Sequence, residues 1–207
     1  MPGAPLFPMF LKLEGRNCLV LGAGSVGEPK IRSLVDCGAR VLVVAPSASE
    51  AVQEWASRGE LTWLPRTFEA ADLEGVFLVV VATSSPEVNH AVYREAQGRG
   101  ILCNVVDDPP HCDFYYPAVV RRGQLQIAIS TAGLSPALAQ RIRKQLEQQF
   151  PAEYGTWLEE LGQRREALFH AGGDPEQRRR FLHQIATPEA FLEFQNSKQS
   201  ESGKELL

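Results

Sequence analysis

Through the first half of the chain, short apolar blocks alternate with longer amphipathic stretches. Asn17 to Leu21 is the first block and stops at Gly22; a helix-like stretch follows, with Val26, Ile31, Leu34 and Val35 apolar, and ends near Gly38. Val41 to Val44 is the second block, bounded by Pro46; Leu61 to Leu64 is a weaker third, Val76 to Ala82 a strong fourth and Ile101 to Val106 a fifth. Between the last two, Ser85-Pro86-Glu87 reads as an N-cap, a proline at the first helical position and an acid in the first turn, opening a helix that should run to about Arg99. Strands apolar on both faces and alternating with helices predict an α/β fold, a parallel sheet covered by helices, over residues 1–113.

The pattern then changes. Phe114 to Val120 and Gln124 to Ser130 flank Arg121-Arg122-Gly123, which predicts a β-hairpin closed at a glycine. Ser135-Pro136 opens a helix with Leu138, Ile142 and Leu146 on one face. Asp174-Pro175-Glu176 and Thr187-Pro188-Glu189 are two more helix starts, and the polar tail from Asn196 to Leu207 should fray. The expected division is therefore 1–113, 114–146 and a helical region 147–207.

Composition narrows the class. Of 207 residues 44% are apolar and 22% charged, enough to bury a core without disulfides. No apolar run reaches the roughly 18 residues of a membrane span. Met1 to Phe10 lacks the pattern of a secretory signal, and Leu6, Phe7, Met9 and Phe10 are expected to pack on the first domain. Cys18, Cys37, Cys103 and Cys112 have no CxxC spacing and read as free, mostly buried thiols of a reducing compartment, which makes the expected location cytoplasmic. The net charge of −4 hides an asymmetry: Phe114 to Leu146 holds no acid but carries Arg121, Arg122, Arg141, Arg143 and Lys144. A basic segment in a mildly acidic chain points to a local anion site rather than a nucleic-acid coat; the plain alternative is a solvated helix face beside a hairpin turn.

Gly22-Ala23-Gly24-Ser25-Val26-Gly27 is GxGxxG between a strand and a helix. Its glycines permit a tight turn, close approach of a pyrophosphate and close helix–strand packing, and the N–H groups at the helix start bind phosphate. NAD is therefore the expected cofactor. The acid that usually binds ribose after the second strand is missing from Val43-Val44-Ala45-Pro46-Ser47, so Ser47 is the candidate ribose contact and NADP stays open. Thr83 and Asn104, on the fourth and fifth strands, join the candidate cofactor contacts, while Ser85 reads as a helix cap. Asp107, in Asn104-Val105-Val106-Asp107-Asp108-Pro109, is either a base at the carboxyl edge of the sheet or an ordinary turn residue. His111, Cys112 and Asp113 cannot all face one ion from a regular strand, and His90, His170 and His183 read as ordinary histidines, so no metal site is expected.

These residues, taken in order, resemble the precorrin-2 dehydrogenase / sirohydrochlorin ferrochelatase family of siroheme synthesis. The resemblance runs from Leu6-Phe7-Pro8 and Leu13-Glu14-Gly15-Arg16 through GAGSVGEPK (22–30), Gly38-Ala39-Arg40, Ala82-Thr83, Val88-Asn89 and CNVVDD (103–108) to Phe114-Tyr115-Tyr116-Pro117-Ala118 and AISTAGLSPALA (128–139). It implies a Rossmann domain that binds NAD and oxidises precorrin-2 to sirohydrochlorin, with ferrous iron a second substrate in bifunctional members. It places the family's functional aspartate on Asp107 and cofactor contacts on Ser25, Val26, Pro46 and Ser47. It also implies a homodimer interlocked through the hairpin and the next helix. The larger relatives fuse a methyltransferase behind this module, which is not expected within 207 residues. Two positions depart from the family: Pro29 replaces a frequent arginine, and Thr131 a serine that is phosphorylated in some relatives.

Precorrin-2 carries eight carboxylates, which gives Arg121, Arg122, Arg141, Arg143 and Lys144 an anion to hold. Two other readings stay beside this one. An NAD-sensing regulatory module without catalysis would normally carry the missing acid after the second strand. A dehydrogenase of an unrelated small substrate has no Tyr-x-x-x-Lys pair to support it.

Overall fold

A computed structural model of the chain describes residues 4–202, with side chains to residue 198. It separates into two compact units, Met1–Tyr115 and Tyr116–Leu207.

The first unit is built on β1 (Asn17–Ala23), β2 (Arg40–Ala48), β3 (Thr62–Leu64), β4 (Leu78–Val81) and β5 (Leu102–Val105), all parallel, in the order β3-β2-β1-β4-β5. Helices α1 (Glu28–Asp36), α2 (Glu50–Ser57) and α3 (Pro86–Gly98) connect them. Side chains alternate across the sheet. Leu19, Leu21, Val79, Val81, Cys103 and Val105 pack with Val92 and Ala96 of α3, while Val20, Val43 and Val80 are as fully buried at the intervening positions. Burial on both faces is why β1, β2 and β4 read as apolar runs, whereas the edge strand β3, with Thr62 exposed, reads more weakly.

Two expectations need correction, and one helix is added. Strand β2 does not stop at Pro46: it continues to Ala48, which pairs with Ala23 across an irregularity in β1. The proline is tolerated because β3 pairs with β2 only as far as Val44, so no ladder bond is demanded of position 46 on that side. Helix α2 had no strong sequence signal; only Val52 of its eight residues is buried. The N-terminal apolar residues do not pack on the domain: Phe7 is 79% and Phe10 67% exposed, and Leu13 is the first buried side chain.

The second unit opens with β6 (Ala118–Arg122) and β7 (Leu125–Ile129), an antiparallel hairpin whose two-residue turn is Gly123-Gln124. Gly123 has φ 56° and Gln124 is not left-handed, the pattern of a turn with glycine at its first central position. Four helices follow: α4 (Pro136–Gln149), α5 (Tyr154–Ala171), α6 (Pro175–Gln184) and α7 (Pro188–Ser202). The predicted caps form: the Ser135 hydroxyl accepts from the Leu138 amide, Asp174 from those of Glu176 and Gln177, and Thr187 from that of Ala190. Phe191 on α7 packs on Tyr154 and Trp157 of α5, with ring centroids 4.1 and 5.1 Å apart. Helix α7 carries the chain through Asn196 to Ser202, where the polar composition predicted fraying; the end of the expected tail, 203–207, lies outside the described residues. Among the described residues no helix is long and apolar enough to cross a membrane.

Candidate functional site

The strand order reverses between β1, the central strand, and β4: β2 and β3 lie to one side, β5 to the other. In such sheets the crevice outside the carboxyl ends of the strands at this reversal is where ligands sit. Gly22 to Gly27 leaves the end of β1 there, and Thr83 leaves the end of β4.

The three glycines of the loop have different work. A methyl group on Gly22 would stand 2.3 Å from the Ala82 carbonyl oxygen, and Gly22 has φ 93°. A methyl on Gly27 would stand 2.1 Å from the Gly22 carbonyl oxygen. Both positions are glycine because the fold leaves no space for a side chain. Gly24 meets nothing within 4 Å and is exposed, as are Ser25 and Val26. The turn therefore presents an open backbone face at the start of a nine-residue helix whose dipole favours an anion. The loop fits a pyrophosphate, with Gly24 at the point of closest approach. Pro46 and Ser47 are exposed on the last residues of β2.

Thr83 is more engaged than a free hydroxyl would be. It donates to the Asn89 side-chain oxygen at 2.5 Å, accepts from the Ser85 amide at 3.3 Å, and its carbonyl accepts from the Asn89 amide group at 3.3 Å. Ser85 caps α3, accepting from the Val88 amide at 3.4 Å. The paired motif Thr83…Asn89 is thus a brace between the end of β4 and the first turn of α3.

Asn104 is buried, at 6% exposure, and its side-chain N–H group donates to the Phe114 carbonyl at 2.7 Å and to Cys112 Sγ at 3.3 Å. This anchors the 112–114 loop. Asp113 adds a second anchor, accepting from the Cys103 amide at 2.8 Å and from Gln97 at 2.7 Å.

Asp107 follows β5 with φ 63°, a left-handed conformation that a side chain adopts only at a cost and that Asp tolerates better than most residues. The strained turn leaves its carboxylate exposed at the carboxyl edge of the sheet. Lys30, in the first turn of α1, is within electrostatic reach: burial pushes its ammonium below its ordinary range, and the Asp107 carboxylate partly opposes that shift. A cation from the helix that follows the glycine loop and an anion from the turn after β5 therefore interact electrostatically.

The basic residues of the second unit divide in two. Arg122 is spent on structure: its Nε donates to the Phe150 carbonyl at 2.6 Å and its Nη2 to the Glu147 carbonyl at 3.0 Å, satisfying the C-terminal end of α4. Arg143 is held along α4 by Glu147 and by Gln140, the latter at 2.9 Å. Arg121, Arg141 and Lys144 are exposed, and their side chains make no hydrogen bond or ion pair among the described residues.

One cluster escaped the sequence reading. His90 from α3 and His111 from the turn Pro109–His111 meet at Asp108: His111 Nδ1 lies 2.8 Å and His90 Nε2 3.5 Å from its Oδ2. The two imidazole centroids are 4.5 Å apart. Only tertiary structure joins these positions; the sequence hint was His111 three residues after Asp108.

A family model described as NAD(P)-binding matches residues 9–118, and one described as the central part of a sirohaem biosynthesis protein matches 122–149. Siroheme synthase of Photorhabdus laumondii is 37% identical over 96% of this chain and 42% of its own length. That of Chromobacterium violaceum is 42% identical over 86% of this chain and 38% of its own. The chain thus spans about two-fifths of the length of these curated relatives. Among solved structures, SirC, a precorrin-2 dehydrogenase, superposes with a TM-score of 0.80 and 28% identity, over 98% of this chain and all of that one. With two consecutive family models covering most of its length and a glycine loop shaped for a dinucleotide, the chain belongs to the NAD(P)-binding family of siroheme-biosynthesis proteins.

Proposed function

We propose that this chain oxidises precorrin-2 to sirohydrochlorin with NAD⁺ as hydride acceptor, a step of siroheme biosynthesis. The observation that carries the reading is the likeness to the precorrin-2 dehydrogenase SirC along practically the whole chain. The nicotinamide, when bound, supplies a two-electron acceptor at the carboxyl edge of the sheet. Gly22, Gly24, Ser25, Val26 and Gly27 hold the pyrophosphate by backbone, and Pro46 and Ser47 flank the adenosine ribose. Thr83 shapes the floor of the crevice through its brace to Asn89, and Asn104 acts by fixing the loop behind Asp107.

Precorrin-2 loses a hydride and a proton on becoming sirohydrochlorin. Asp107 accepts the proton, exposed on its strained turn and within electrostatic reach of Lys30. A base ordinarily contributes about 10²–10⁴-fold, and most of the remaining work is orientation of the macrocycle. Arg121, Arg141 and Lys144 are the cations available for the substrate's carboxylates; Arg122 and Arg143 support the helix that carries two of them. A homodimer through 114–146 is part of the same proposal. Its support is the exposed apolar surface of that segment, where Leu134 is 90% and Leu138 49% accessible. The expected location is the cytoplasm, consistent with free thiols.

Insertion of ferrous iron into sirohydrochlorin is a second reading, favoured by the name siroheme synthase that the relatives carry. An anaerobic assay separates the two: precorrin-2 with NAD⁺ or NADP⁺, following the product's absorbance, then sirohydrochlorin with ferrous iron. One equivalent of reduced nucleotide per sirohydrochlorin is expected, with NAD⁺ preferred. No heat of binding for either nucleotide, with or without tetrapyrrole, would end the dehydrogenase reading.

A further inference from the structure

The cluster of His90, Asp108 and His111 has the composition and spacing of a metal site. One ligand atom from each lies within 4.8 Å of the other two. Ligands bound at about 2.0–2.2 Å to a first-row transition metal stand roughly 2.9–3.5 Å from one another, set by whether the geometry is octahedral or tetrahedral. The two separations from Asp108 Oδ2, 2.8 and 3.5 Å, bracket that range. Small rotations of side chains that are partly exposed close the rest.

The backbone beneath the cluster is already fixed. Pro109 and Pro110 stiffen the turn between Asp108 and His111, and the His111 amide donates to the Asp108 carbonyl at 3.0 Å. The Cys112 thiol donates to the carbonyls of Val105 and Asp108 at 3.1 and 3.3 Å. Asn104 and Asp113 pin the residues that follow. Tyr93, one turn along α3 from His90, sets its ring edge-on to His111 at 4.7 Å and limits that imidazole's rotation. Two ligands on a braced loop and a third on a helix need little reordering to bind, which is what pre-organisation of a site means. His90 is half exposed, so solvent reaches the cluster and leaves coordination positions open to water or a ligand.

We propose that His90, Asp108 and His111 form a binding site for one divalent first-row transition metal ion, of the two-histidine, one-carboxylate type. Two imidazoles and one carboxylate are borderline donors that prefer such ions to magnesium or calcium, which take oxygen. The assignment concerns binding and does not depend on the dehydrogenase reading; nucleotide calorimetry on the same protein tests that reading separately.

The test uses the full chain, free of any affinity tag and stripped with a chelator, titrated with Co²⁺ by visible absorption and calorimetry, then with Zn²⁺ as competitor. One equivalent of Co²⁺ with ligand-field bands, displaced by Zn²⁺, is expected. His90→Ala should weaken Co²⁺ at least about tenfold, since even outer-shell changes cost 10–100-fold. Asp108→Asn should do the same, whereas the double variant His170→Ala/His183→Ala should bind as the parent does. His90 is on the exposed face of α3, so its variant should keep the parent's circular dichroism and Tm. Absence of saturable Co²⁺ and Zn²⁺ binding in the parent, or unchanged affinity in the folded His90→Ala protein, would overturn the assignment.

Discussion

Arg122 on the hairpin and Phe150 at the end of α4 are joined by a charge-assisted hydrogen bond of 2.6 Å from Nε to the carbonyl oxygen. With the second bond to Glu147, the guanidinium closes the helix that the hairpin precedes. Hydrogen bonds to charged groups contribute about 1.5–3 kcal/mol. Arg122→Met should therefore lower unfolding free energy by about 2 kcal/mol, read by urea denaturation. Arg121→Met and Arg141→Met should leave stability unchanged and raise KM for precorrin-2. If Arg122→Met unfolded at the parent's midpoint, its structural role would be refuted.

The glycine loop predicts a separation between folding and binding. Gly27→Ala must push a methyl into the Gly22 carbonyl and should destabilise by about 1–3 kcal/mol, as overpacking does. Gly24→Ala adds a methyl to open space and should leave stability within about 0.5 kcal/mol. Its nucleotide affinity should nevertheless fall about tenfold or more, or about 1.4 kcal/mol. Thermal denaturation paired with calorimetry checks both; a Gly24→Ala protein with the parent's nucleotide Kd would remove this residue from the phosphate site.

Asp107 pairs strain with the proposed chemistry. Asp107→Gly relieves the left-handed backbone and should hold or raise stability by up to about 1 kcal/mol. The same substitution should cut the dehydrogenase rate about 10²-fold or more, with nucleotide affinity nearly intact. Full turnover in this variant would exclude Asp107 as the base.

Buried thiols predict an alkaline limit. Burial raises Cys18 to about 11 and Cys103 to about 12, against 9.0 for a free thiol. Both are protonated in folded and unfolded chains below pH 9, so they add no pH dependence there. Between pH 9 and the folded values only the unfolded chain loses these protons, so stability falls as pH rises. At pH 10 each thiol should cost about 1 kcal/mol relative to pH 8, and the double variant Cys18→Ala/Cys103→Ala should show a shallower fall in urea midpoint.

The parallel sheet was legible because its inner strands are buried on both faces, so Val41 to Val44 or Val76 to Ala82 needs no partner to be recognised. The proline-led helix starts were legible for a local reason too, since cap, proline and first-turn acid lie side by side. What escaped depends on distant chain. Arg121 and Arg122 are equivalent in sequence, but the pleat turns one to solvent and the other to the end of α4. The bond from the Asn104 N–H group to the Phe114 carbonyl exists only once the loop after β5 has folded back. His90 and His111 are brought together only when α3 docks beside β5. The exposure of Phe7 and Phe10 runs against composition altogether.

The unequal burden on the loop's glycines bears on how this lineage drifts. Gly22 and Gly27 are guarded by the fold, since a side chain at either would clash with backbone and destabilise the protein, whereas Gly24 is guarded only by use. A descendant released from its reaction would shed the middle glycine first and keep the outer two. Such a chain would keep the strand, turn and helix of a nucleotide binder, yet be an inert scaffold.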